Sequence, residues 1–363
     1  MRLKKIGFVL LTALWLCLAV CLWLLPKKEI SASERRKLSQ LPKFSVQSVA
    51  SGQYMSGFDS FVSDQFPGRD VFRRIKALFG NKILLEKDNN GIYKAENSLA
   101  KLDYPVHSDS VAYAKGRFAE IYRRYLEESE RIVFCPVPDK GYYLAEKNGY
   151  PTMDYEALFD EFRQLDWAEY ADITDLLSAQ SYYATDTHWR QEAIYPVAER
   201  LADMLGVTLE PPSTISQKTL TDEFYGVYYG QAALPMKPDN LTVCTSEILE
   251  NCVVTNLETG EILGLYDLSK LEGNDPYEVF LSGSVSLIQI ENPAAETDRE
   301  LIVFRDSFGS SLVPLLSSGY AKITLVDIRY LPTANVGRFL NFHGQDVLFL
   351  YSTLVLNNSD TLK

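Results

Sequence analysis

The first hydrophobic feature of the chain is one uninterrupted apolar run. Residues 6–25 carry no charged side chain and consist mainly of Leu, Val, Ala and Trp. A helix of about twenty residues rises about 30 Å, which matches the hydrocarbon core of a bilayer. The run therefore predicts a membrane-spanning helix. A cleaved signal peptide is the alternative, with 31–33 as a cleavage site, but its apolar region is normally only about 7–15 residues long.

Basic residues on the two sides of this run predict its orientation. Arg2, Lys4 and Lys5 precede it, and the positive-inside rule keeps such residues in the cytoplasm. Lys27 and Lys28 on the far side weaken the asymmetry without reversing it. We expect a single-pass protein of the cell membrane with a cytoplasmic N-terminus and an extracytoplasmic main domain.

Beyond the run, the polar and apolar positions divide the chain into three parts. Residues 1–28 form the cytoplasmic tip and the anchor, and residues 29–110 read as a polar, mostly helical N-terminal extension. Residues 111–363 form the main domain. Within it, residues 210–300 are rich in turns and in β-branched or aromatic runs, which predicts a β-rich insertion with a hairpin near Thr259-Gly260 and a strand over 277–281.

Periodicity in the main domain alternates between helix and strand. The helical patterns cover 110–130 and 191–205, and a short buried strand at 131–135 ends before Pro136. Towards the C-terminus the pattern reads strand, helix, strand, strand, over residues 301–304, 307–318, 323–328 and 347–350. A strand–helix–strand unit implies parallel pairing, so we predict an α/β fold with a parallel sheet.

Composition and charge narrow the function classes. The chain is 46% hydrophobic and 23% charged, with a net charge of −12, or about −15 without the three basic residues of the cytoplasmic tip. Such acidity argues against a nucleic-acid partner. With three His and no C-x-x-C motif, no metal site or cofactor is predicted. Five cysteines give no disulfide framework, although Cys244 and Cys252 could pair, and Cys135 lies on an apolar strand and is predicted to be core.

A polar cluster at Asp186-Thr187-His188-Trp189 lies in a predicted loop before the helix at 191–205. An Asp two positions before a His can turn its carboxylate onto Nδ1, which leaves Nε2 free to accept a proton. This arrangement predicts a general base. A solvated loop pair is an equally reasonable interpretation of the motif alone.

Ser307, in Arg305-Asp306-Ser307-Phe308-Gly309, follows a predicted buried strand and opens a predicted helix. Free N–H groups and positive potential at a helix N-terminus can stabilise an oxyanion beside an attacking serine, and ligands of α/β sheets bind at this edge. The alternative for Ser307 is an ordinary helix cap, the commonest role of serine at such a junction. Only the conjunction with the D-x-H motif favours a nucleophile.

Taken together, these motifs resemble the DHHW family, relatives of the SGNH-like proteins that O-acetylate alginate. The family's Asp-His-His-Trp run matches residues 186–189, with Thr187 in place of the first His. The similarity extends over most of the chain outside the apolar run, through Ser33-Glu34-Arg35-Arg36-Lys37-Leu38, Asp64-Gln65-Phe66-Pro67-Gly68-Arg69-Asp70, Pro138-Asp139-Lys140, Phe224-Tyr225-Gly226, Arg305-Asp306-Ser307-Phe308 and Asp327-Ile328-Arg329-Tyr330.

The resemblance implies an SGNH-like, flavodoxin-like three-layer fold in which a parallel sheet is flanked by helices and the D-x-H motif precedes the serine, a permuted order. It also implies that Ser307 is the nucleophile, His188 the base and Asp186 the orienting carboxylate. An acyl-serine would be the intermediate.

Four further residues are candidates for substrate binding or for the oxyanion hole. Gly226 could donate its backbone N–H beside that of Ser307, or it could be a turn glycine. Arg305 stands where ordinary SGNH enzymes have glycine, and it could instead pair with Asp327.

Lys140 and Trp189 complete this set of four candidates. Lys140 follows a predicted strand and could reach the ligand edge of the sheet, or it could be a solvated turn residue. Trp189 could stack on a sugar, but packing beneath the loop is the better interpretation.

The predicted function is an extracytoplasmic, membrane-anchored O-acetyltransferase or acetyl esterase that acts on a cell-envelope or secreted polysaccharide. A polytopic membrane O-acyltransferase that supplies acetyl groups is the partner implied by the family's relatives. The alternative is a non-catalytic cell-surface scaffold or glycan-binding protein that retains the fold. A peptidase has no support beyond the shared triad logic.

Overall fold

A computed structural model describes residues 2–31 and 33–363, which divide into two compact units. The first unit comprises residues 1–90 together with 229–235, and the second comprises 91–228 together with 236–363. The predicted apolar helix near the N-terminus is confirmed. Residues Lys4–Leu24 lie in one helix that is long and apolar enough for a membrane span or for a signal sequence.

The first unit is mostly helical. Two short strands, β1 (Ile30–Ser31) and β2 (Arg36–Lys37), pair antiparallel, and β3 (Asp88–Asn89) ends the continuous part of the unit. Its helices are α1 (Arg2–Leu24), α2 (Val46–Ala50), α3 (Gln53–Asp64) and α4 (Arg69–Lys82).

The second unit contains a large mixed sheet. The strands after residue 90 are β4 (Ile92–Ala95), β5 (Ser98–Lys101), β6 (Ile132–Val137), β7 (Glu169–Tyr170), β8 (Ser216–Phe224), β9 (Asp239–Thr245), β10 (Val253–Asn256), β11 (Ile262–Leu263), β12 (Leu287–Glu291), β13 (Glu300–Arg305), β14 (Lys322–Val326) and β15 (Asp346–Ser352). Eight of them form one sheet in the order β11-β10-β12-β14-β13-β15-β6-β7. The five strands from β14 to β7 run parallel, and the other three add antiparallel at one edge.

Helices cover both faces of this sheet. The helices after residue 90 are α5 (Ser108–Ile121), α6 (Lys140–Leu144), α7 (Tyr155–Arg163), α8 (Tyr195–Leu205), α9 (Val227–Ala232), α10 (Glu247–Asn251), α11 (Gly309–Leu316) and α12 (Thr353–Asn357). Successive side chains of a strand point to opposite faces, so Leu301 and Val303 of β13 enter one core with α8 and α11. Ile302 and Phe304 enter a second core with α5, α7 and α12. The result is a three-layer arrangement around buried parallel strands.

The predicted β-rich insertion over 210–300 is wrong in part, and the predicted strand over 277–281 is wrong. Only β8 and β9 form a separate antiparallel pair, whereas β10, β11 and β12 extend the main sheet. The predicted hairpin near Thr259-Gly260 is confirmed by the antiparallel pairing of β10 with β11. The predicted strand over 277–281 is instead a 3₁₀ turn over Pro276–Val279, which Asp275 caps by accepting the Tyr277 N–H at 3.1 Å. Cys244 and Cys252 are free thiols and do not pair.

Parallel pairing brings three chain segments to one edge of the sheet. The carboxyl ends of β6, β13 and β15 lie side by side, and each is followed within two residues by a polar residue. Asp139, after β6, accepts the hydroxyl of Thr353 at 2.7 Å. Asp306, after β13, accepts the backbone N–H of Ser352 at 2.8 Å. The edge that carries Ser307 is therefore fixed by hydrogen bonds between neighbouring strand ends.

Candidate active site

Ser307 lies in a tight turn between β13 and α11. Asp306 shapes this turn, because its carboxylate accepts the Phe308 N–H at 3.0 Å while it also holds the end of β15. Helix α11 begins two residues after Ser307, and Phe308 occupies its N-cap position without any side-chain cap. Ser307 is therefore not the helix cap. Its Oγ lies 2.8 Å from Nε2 of His188.

The imidazole of His188 connects the serine to Asp186. Nδ1 of His188 lies 2.6 Å from Oδ1 of Asp186, and a carboxylate can only accept, so Nδ1 donates. The remaining nitrogen, Nε2, can then accept the Ser307 hydroxyl proton. Asp186 is fully buried and also accepts the backbone N–H groups of His188 at 3.1 Å and Val227 at 2.7 Å. The structure thus brings the three predicted residues together in hydrogen-bonding order.

Asp239 holds the chain that leads into this loop. Its carboxylate accepts the N–H groups of Ala184 and Thr185 at 2.8 Å each, and the Thr185 hydroxyl at 2.6 Å. An antiparallel bridge between Tyr182 and Trp189 closes the loop. The D-x-H loop is therefore fixed at both ends, which suits a base that must hold one orientation.

Trp189 supports the site from beneath and does not face a ligand. It is fully buried, and its indole N–H points at the start of α11, with acceptors at the Phe308 carbonyl (3.2 Å) and the Ser311 hydroxyl (2.9 Å). The candidate role in sugar stacking is wrong because no face of the ring is accessible. Trp189 instead ties the D-x-H loop to the helix that follows Ser307.

Gly226 also acts on the loop and not as an oxyanion donor. Its N–H donates to the Thr185 hydroxyl at 2.9 Å, so that hydrogen is already used. An added Cβ would lie 2.2 Å from Cβ and 2.4 Å from Cα of Asp186. The position needs glycine because the backbone of residue 226 packs directly against Asp186.

Lys140 points into the protein beneath the same loop. Its ammonium donates to the Tyr183 carbonyl at 2.8 Å, lies 3.3 Å from the Ser98 hydroxyl, and is 5.2 Å from the ring centre of Tyr228. It is 2% exposed and is not among the described residues that line the cavity beside Ser307. The candidate role in substrate binding is therefore wrong, as is the alternative of a solvated turn residue.

Because Lys140 is buried, its titration should change the free energy of unfolding with pH. Burial lowers the pKa of its ammonium to about 7, although Asp186 and Asp239 oppose the shift. Between about pH 7 and the ordinary lysine pKa of about 10.4, the unfolded chain binds a proton that the folded chain lacks. Stability should therefore rise with pH through this window, with a slope of up to about 1.4 kcal/mol per pH unit.

Thermal unfolding of the parent and of Lys140→Met at about pH 6 and about pH 9 measures this slope. The parent's midpoint should gain more than the variant's on going to the higher pH. An equal gain in both proteins would mean that Lys140 does not titrate in this window.

Arg305 lines a cavity of about 160 Å³ together with Ser307 and His188. The ion pair with Asp327, considered above as the alternative role of Arg305, is present, with Nη1 3.7 Å from Oδ2. Nη1 also reaches the Asp306 carbonyl at 3.3 Å, and Nη2 reaches the Val285 carbonyl at 3.2 Å. The side chain is 1% exposed, and its Nε has no hydrogen-bond partner within the described ranges 2–31 and 33–363. The guanidinium of a residue that lines the cavity therefore keeps one buried N–H donor without a partner among the described residues.

Tyr277 is a site residue that the sequence did not identify. Its ring stacks on the imidazole of His188, with ring centres 3.8 Å apart and an interplanar angle of 4°. Its hydroxyl lies 2.8 Å from the Ser311 hydroxyl, and burial raises its pKa well above the ordinary value, so the phenol stays neutral. The residue lies in a segment predicted to be a strand, and no local motif marks it.

Replacing Tyr277 should separate stacking from hydrogen bonding. Tyr277→Phe keeps the stacked ring and should change kcat for ester cleavage only slightly, whereas Tyr277→Ala removes the support of His188. Because small displacements of catalytic groups are costly, we expect Tyr277→Ala to lower kcat about tenfold or more. Equal kcat in both variants would contradict a positioning role for the ring.

The described residues offer no metal-binding group. Across residues 2–31 and 33–363, no three His, Cys, Asp or Glu side chains are grouped so as to hold a metal ion. The candidate site comprises a serine, an imidazole and a carboxylate joined by hydrogen bonds, at the carboxyl edge of a mostly parallel sheet within a mixed α/β protein.

Sequence comparison confirms the resemblance to the DHHW family. The model of that family, described as DHHW protein, matches residues 34–92. This match includes most of the Ser33–Leu38 motif and all of the 64–70 motif, and it lies outside the triad. Among curated proteins, no sequence matches the chain significantly.

Solved structures with similar folds include a DHHW family protein from Eubacterium siraeum and PatB1 from Bacillus cereus. The first is 21% identical, with a TM-score of 0.60 over 76% of this chain and 95% of its own. PatB1 is 14% identical, with a TM-score of 0.59 over 73% of this chain and 96% of its own, and it has also been solved with a sulfonyl adduct. These likenesses establish a shared fold.

The O-acetyltransferase domain of Pseudomonas putida AlgJ is a weaker neighbour. It is 12% identical and covers 74% of this chain and 92% of its own, with a TM-score of 0.46. That score is too low to establish a common fold.

Proposed function

We propose that this protein is an extracytoplasmic, membrane-anchored O-acetyltransferase or acetyl esterase with an SGNH-like fold of permuted motif order. The observation that carries the proposal is the continuous chain of hydrogen bonds from Ser307 through His188 to Asp186, at 2.8 Å and 2.6 Å. A serine that only caps a helix, or an Asp–His pair in a solvated loop, would need neither of these contacts. Their order is that of a nucleophile, a base and an orienting acid.

In the first half of the reaction, Ser307 Oγ attacks the carbonyl carbon of an acetyl ester. His188 Nε2 takes the hydroxyl proton as the new C–O bond forms, and Asp186 stabilises the resulting imidazolium. The tetrahedral intermediate then collapses, the bond to the donor oxygen breaks, and His188 returns the proton to that oxygen. The product is a free donor alcohol and an acetyl ester on Ser307.

In the second half, a hydroxyl group of the acceptor attacks the acetyl-serine. His188 now removes the acceptor's proton, and the collapse of the second tetrahedral intermediate returns that proton to Ser307 Oγ. A sugar hydroxyl yields an O-acetylated glycan, and water yields acetate. The enzyme is a transferase when the acceptor hydroxyl reaches the acyl-enzyme before water does.

The proposed oxyanion donors are the Ser307 backbone N–H and Nε of Arg305. No described residue accepts a hydrogen bond from either group. Charged donors in a dry site stabilise a developing oxyanion more than neutral ones do, and burial beside Asp327 keeps the guanidinium in one place. This assignment replaces the one first made for Gly226.

The proposed acceptor is a cell-envelope or secreted polysaccharide, and the proposed donor is a polytopic membrane O-acyltransferase. Both follow from the resemblance of the sequence motifs to the DHHW family and its relatives. The proposed organisation remains an anchor over 1–28, a helical extension over 29–110 and a catalytic domain over 111–363. The apolar helix Lys4–Leu24 supports a single-pass anchor with the site on the extracytoplasmic side.

Trapping the acyl-enzyme tests the proposal. The purified full-length chain is mixed with a p-nitrophenyl acetate donor and quenched within seconds, and its peptides are analysed by mass spectrometry. We expect one acetyl group on Ser307 in the parent and none there in Ser307→Ala. Ser318→Ala is the matched control, because Ser318 follows the same helix but hydrogen-bonds to the backbone of Glu210.

Adding oligosaccharides of the envelope to the trapped enzyme then separates transfer from hydrolysis. Acetylated sugar indicates a transferase, and acetate alone indicates an esterase. No acetylation of Ser307 by any of several acyl donors would instead support the non-catalytic scaffold.

A further inference from the structure

Helix α4 of the first unit presents its apolar side outward. Five large apolar side chains recur with the spacing of one helical face, and all are well exposed: Val71 59%, Phe72 48%, Ile75 56%, Leu78 39% and Phe79 53%. The buried residues of this helix are the small ones, Ala77 and Gly80. A helix of a water-soluble protein normally turns its apolar stripe towards the core, so α4 is inverted.

Charged contacts hold the opposite side of α4 against the rest of its unit. Arg73 donates to the Gly230 carbonyl at 2.7 Å and lies 3.3 Å from Glu34. Arg69 also pairs with Glu34. These contacts fix the rotation of the helix, so its apolar face cannot turn inward without breaking ion pairs that are half-buried. The outward orientation of the apolar face is therefore held in place by these contacts.

The exposed face of α4 is continuous with the apolar helix α1. Trp15 of α1 contacts Phe66, with ring centres 6.3 Å apart, and Phe66 packs edge-on against Phe72 of α4 at 5.4 Å. Trp23, near the end of α1, contacts Phe61 at 6.1 Å. Beyond α4, residues 83–85 are Ile and two Leu, all more than half exposed. A bilayer that holds α1 would therefore also meet α4.

The charge of α4 fits the same partner. The helix carries five basic residues and one acidic residue, whereas the whole chain has a net charge of −12. Basic residues that border an apolar stripe are typical of helices that lie in the interface of an anionic bilayer. A protein partner would not require both the apolar continuity with α1 and this local excess of positive charge.

We propose that α4 is an interfacial membrane helix, which lies in the plane of the bilayer with Val71, Ile75 and Phe79 among the acyl chains. The inference rests on the proposed role of α1 as a membrane anchor. It assigns a second lipid contact to the part of the chain that matches the DHHW family model. The proposed partner of the apolar face of α4 is lipid, and neither a second copy of this chain nor another membrane protein.

Photoactivatable lipid tests this contact in the full-length chain. The protein is reconstituted into vesicles of phosphatidylethanolamine and phosphatidylglycerol that include a lipid with a diazirine in its acyl chain. After illumination, adducts are mapped by mass spectrometry. We expect adducts on α1 and, within α4, on the side of Val71, Ile75 and Phe79.

The pattern of adducts distinguishes failure of this inference from failure of the anchor. Adducts on α1 without any on α4 would overturn the interfacial helix and leave the anchor intact. Absence of adducts from α1 itself would contradict the anchor. Cross-links between α4 segments of two molecules, in place of lipid adducts, would identify a second copy as the occupant and also overturn the proposal.

Two variants sharpen the result. Ile75→Gln combined with Phe79→Gln removes apolar area from the exposed face and should lower the α4 adduct yield several-fold while α1 adducts stay unchanged. Lys76→Arg is the matched control, because it changes the neighbouring position while keeping its positive charge and all the apolar area, and its yield should stay close to the parent's. A double variant with parental α4 yield would contradict insertion of this face.

Discussion

Ser307→Ala, His188→Ala and the double variant should each lose acetyl-ester turnover to about the same extent, by a factor of about 10³ or more. In the proposed mechanism the serine and the imidazole act as one unit, because the proton that leaves Oγ goes to Nε2, 2.8 Å away. Once either member is absent, the other has no reaction to assist. The two losses should therefore be far from additive.

The measurement is kcat/KM for an acetyl ester with all three variants and the parent, at one pH and one detergent concentration. Thermal unfolding of each variant checks that the fold is retained. His343→Ala is the matched control for the loss of a histidine. The side chain of His343 is exposed, and its Nδ1 lies within hydrogen-bond distance of the Asn341 carbonyl and the Gln345 amide. If the losses of the two single variants instead multiply in the double variant, Ser307 and His188 do not work as a pair.

The sheet was predictable wherever its strands are buried on both faces. Strands β13, β14 and β15 are short runs of Ile, Leu, Val and Phe, and the sequence located all three within a few residues. The antiparallel strands β10 and β12 were assigned to an insertion because their pairing joins segments distant in sequence. Local pattern identifies a strand, but it does not identify the strand's neighbour.

The candidate site shows the same division. Two local motifs predicted Asp186, His188 and Ser307, because a D-x-H spacing and a strand-to-helix serine each have a recognisable chemistry. Local motifs did not predict Tyr277, because its contact with His188 depends on how a 3₁₀ turn packs over the loop. The four secondary candidates were near the site, but burial gave three of them structural roles.

Those structural roles connect the two halves of the site. Trp189 and Gln191, which follow His188 in the chain, both donate hydrogen bonds at the start of α11. Trp189 donates to the Phe308 carbonyl and the Ser311 hydroxyl, and Gln191 donates to the Ser311 carbonyl. Gln191 also accepts the backbone N–H of Cys244 at 2.7 Å, which fixes its amide. The loop that carries His188 and the helix that follows Ser307 are thus tied together by hydrogen bonds.

Gly226→Ala should lower kcat about 10²-fold, although residue 226 keeps its backbone N–H in this variant. The new Cβ would lie 2.2 Å from Cβ of Asp186, so the carboxylate that orients His188 must move. A displacement of about 1 Å at a catalytic group is enough for a loss of this size. Overpacking should also lower the free energy of unfolding by about 1–3 kcal/mol.

Comparing kcat and thermal unfolding for Gly226→Ala and Gly116→Ala tests this explanation. Gly116 lies inside α5 with no heavy atom within 4 Å of an added Cβ, so alanine there should stabilise the helix by about 0.5–1 kcal/mol and leave kcat unchanged. An oxyanion role for the Gly226 N–H would predict nearly parental kcat, because alanine retains that donor. Parental kcat in Gly226→Ala would therefore contradict close packing as the reason for glycine, whereas a specific loss there would show that the site depends on backbone contact with Asp186.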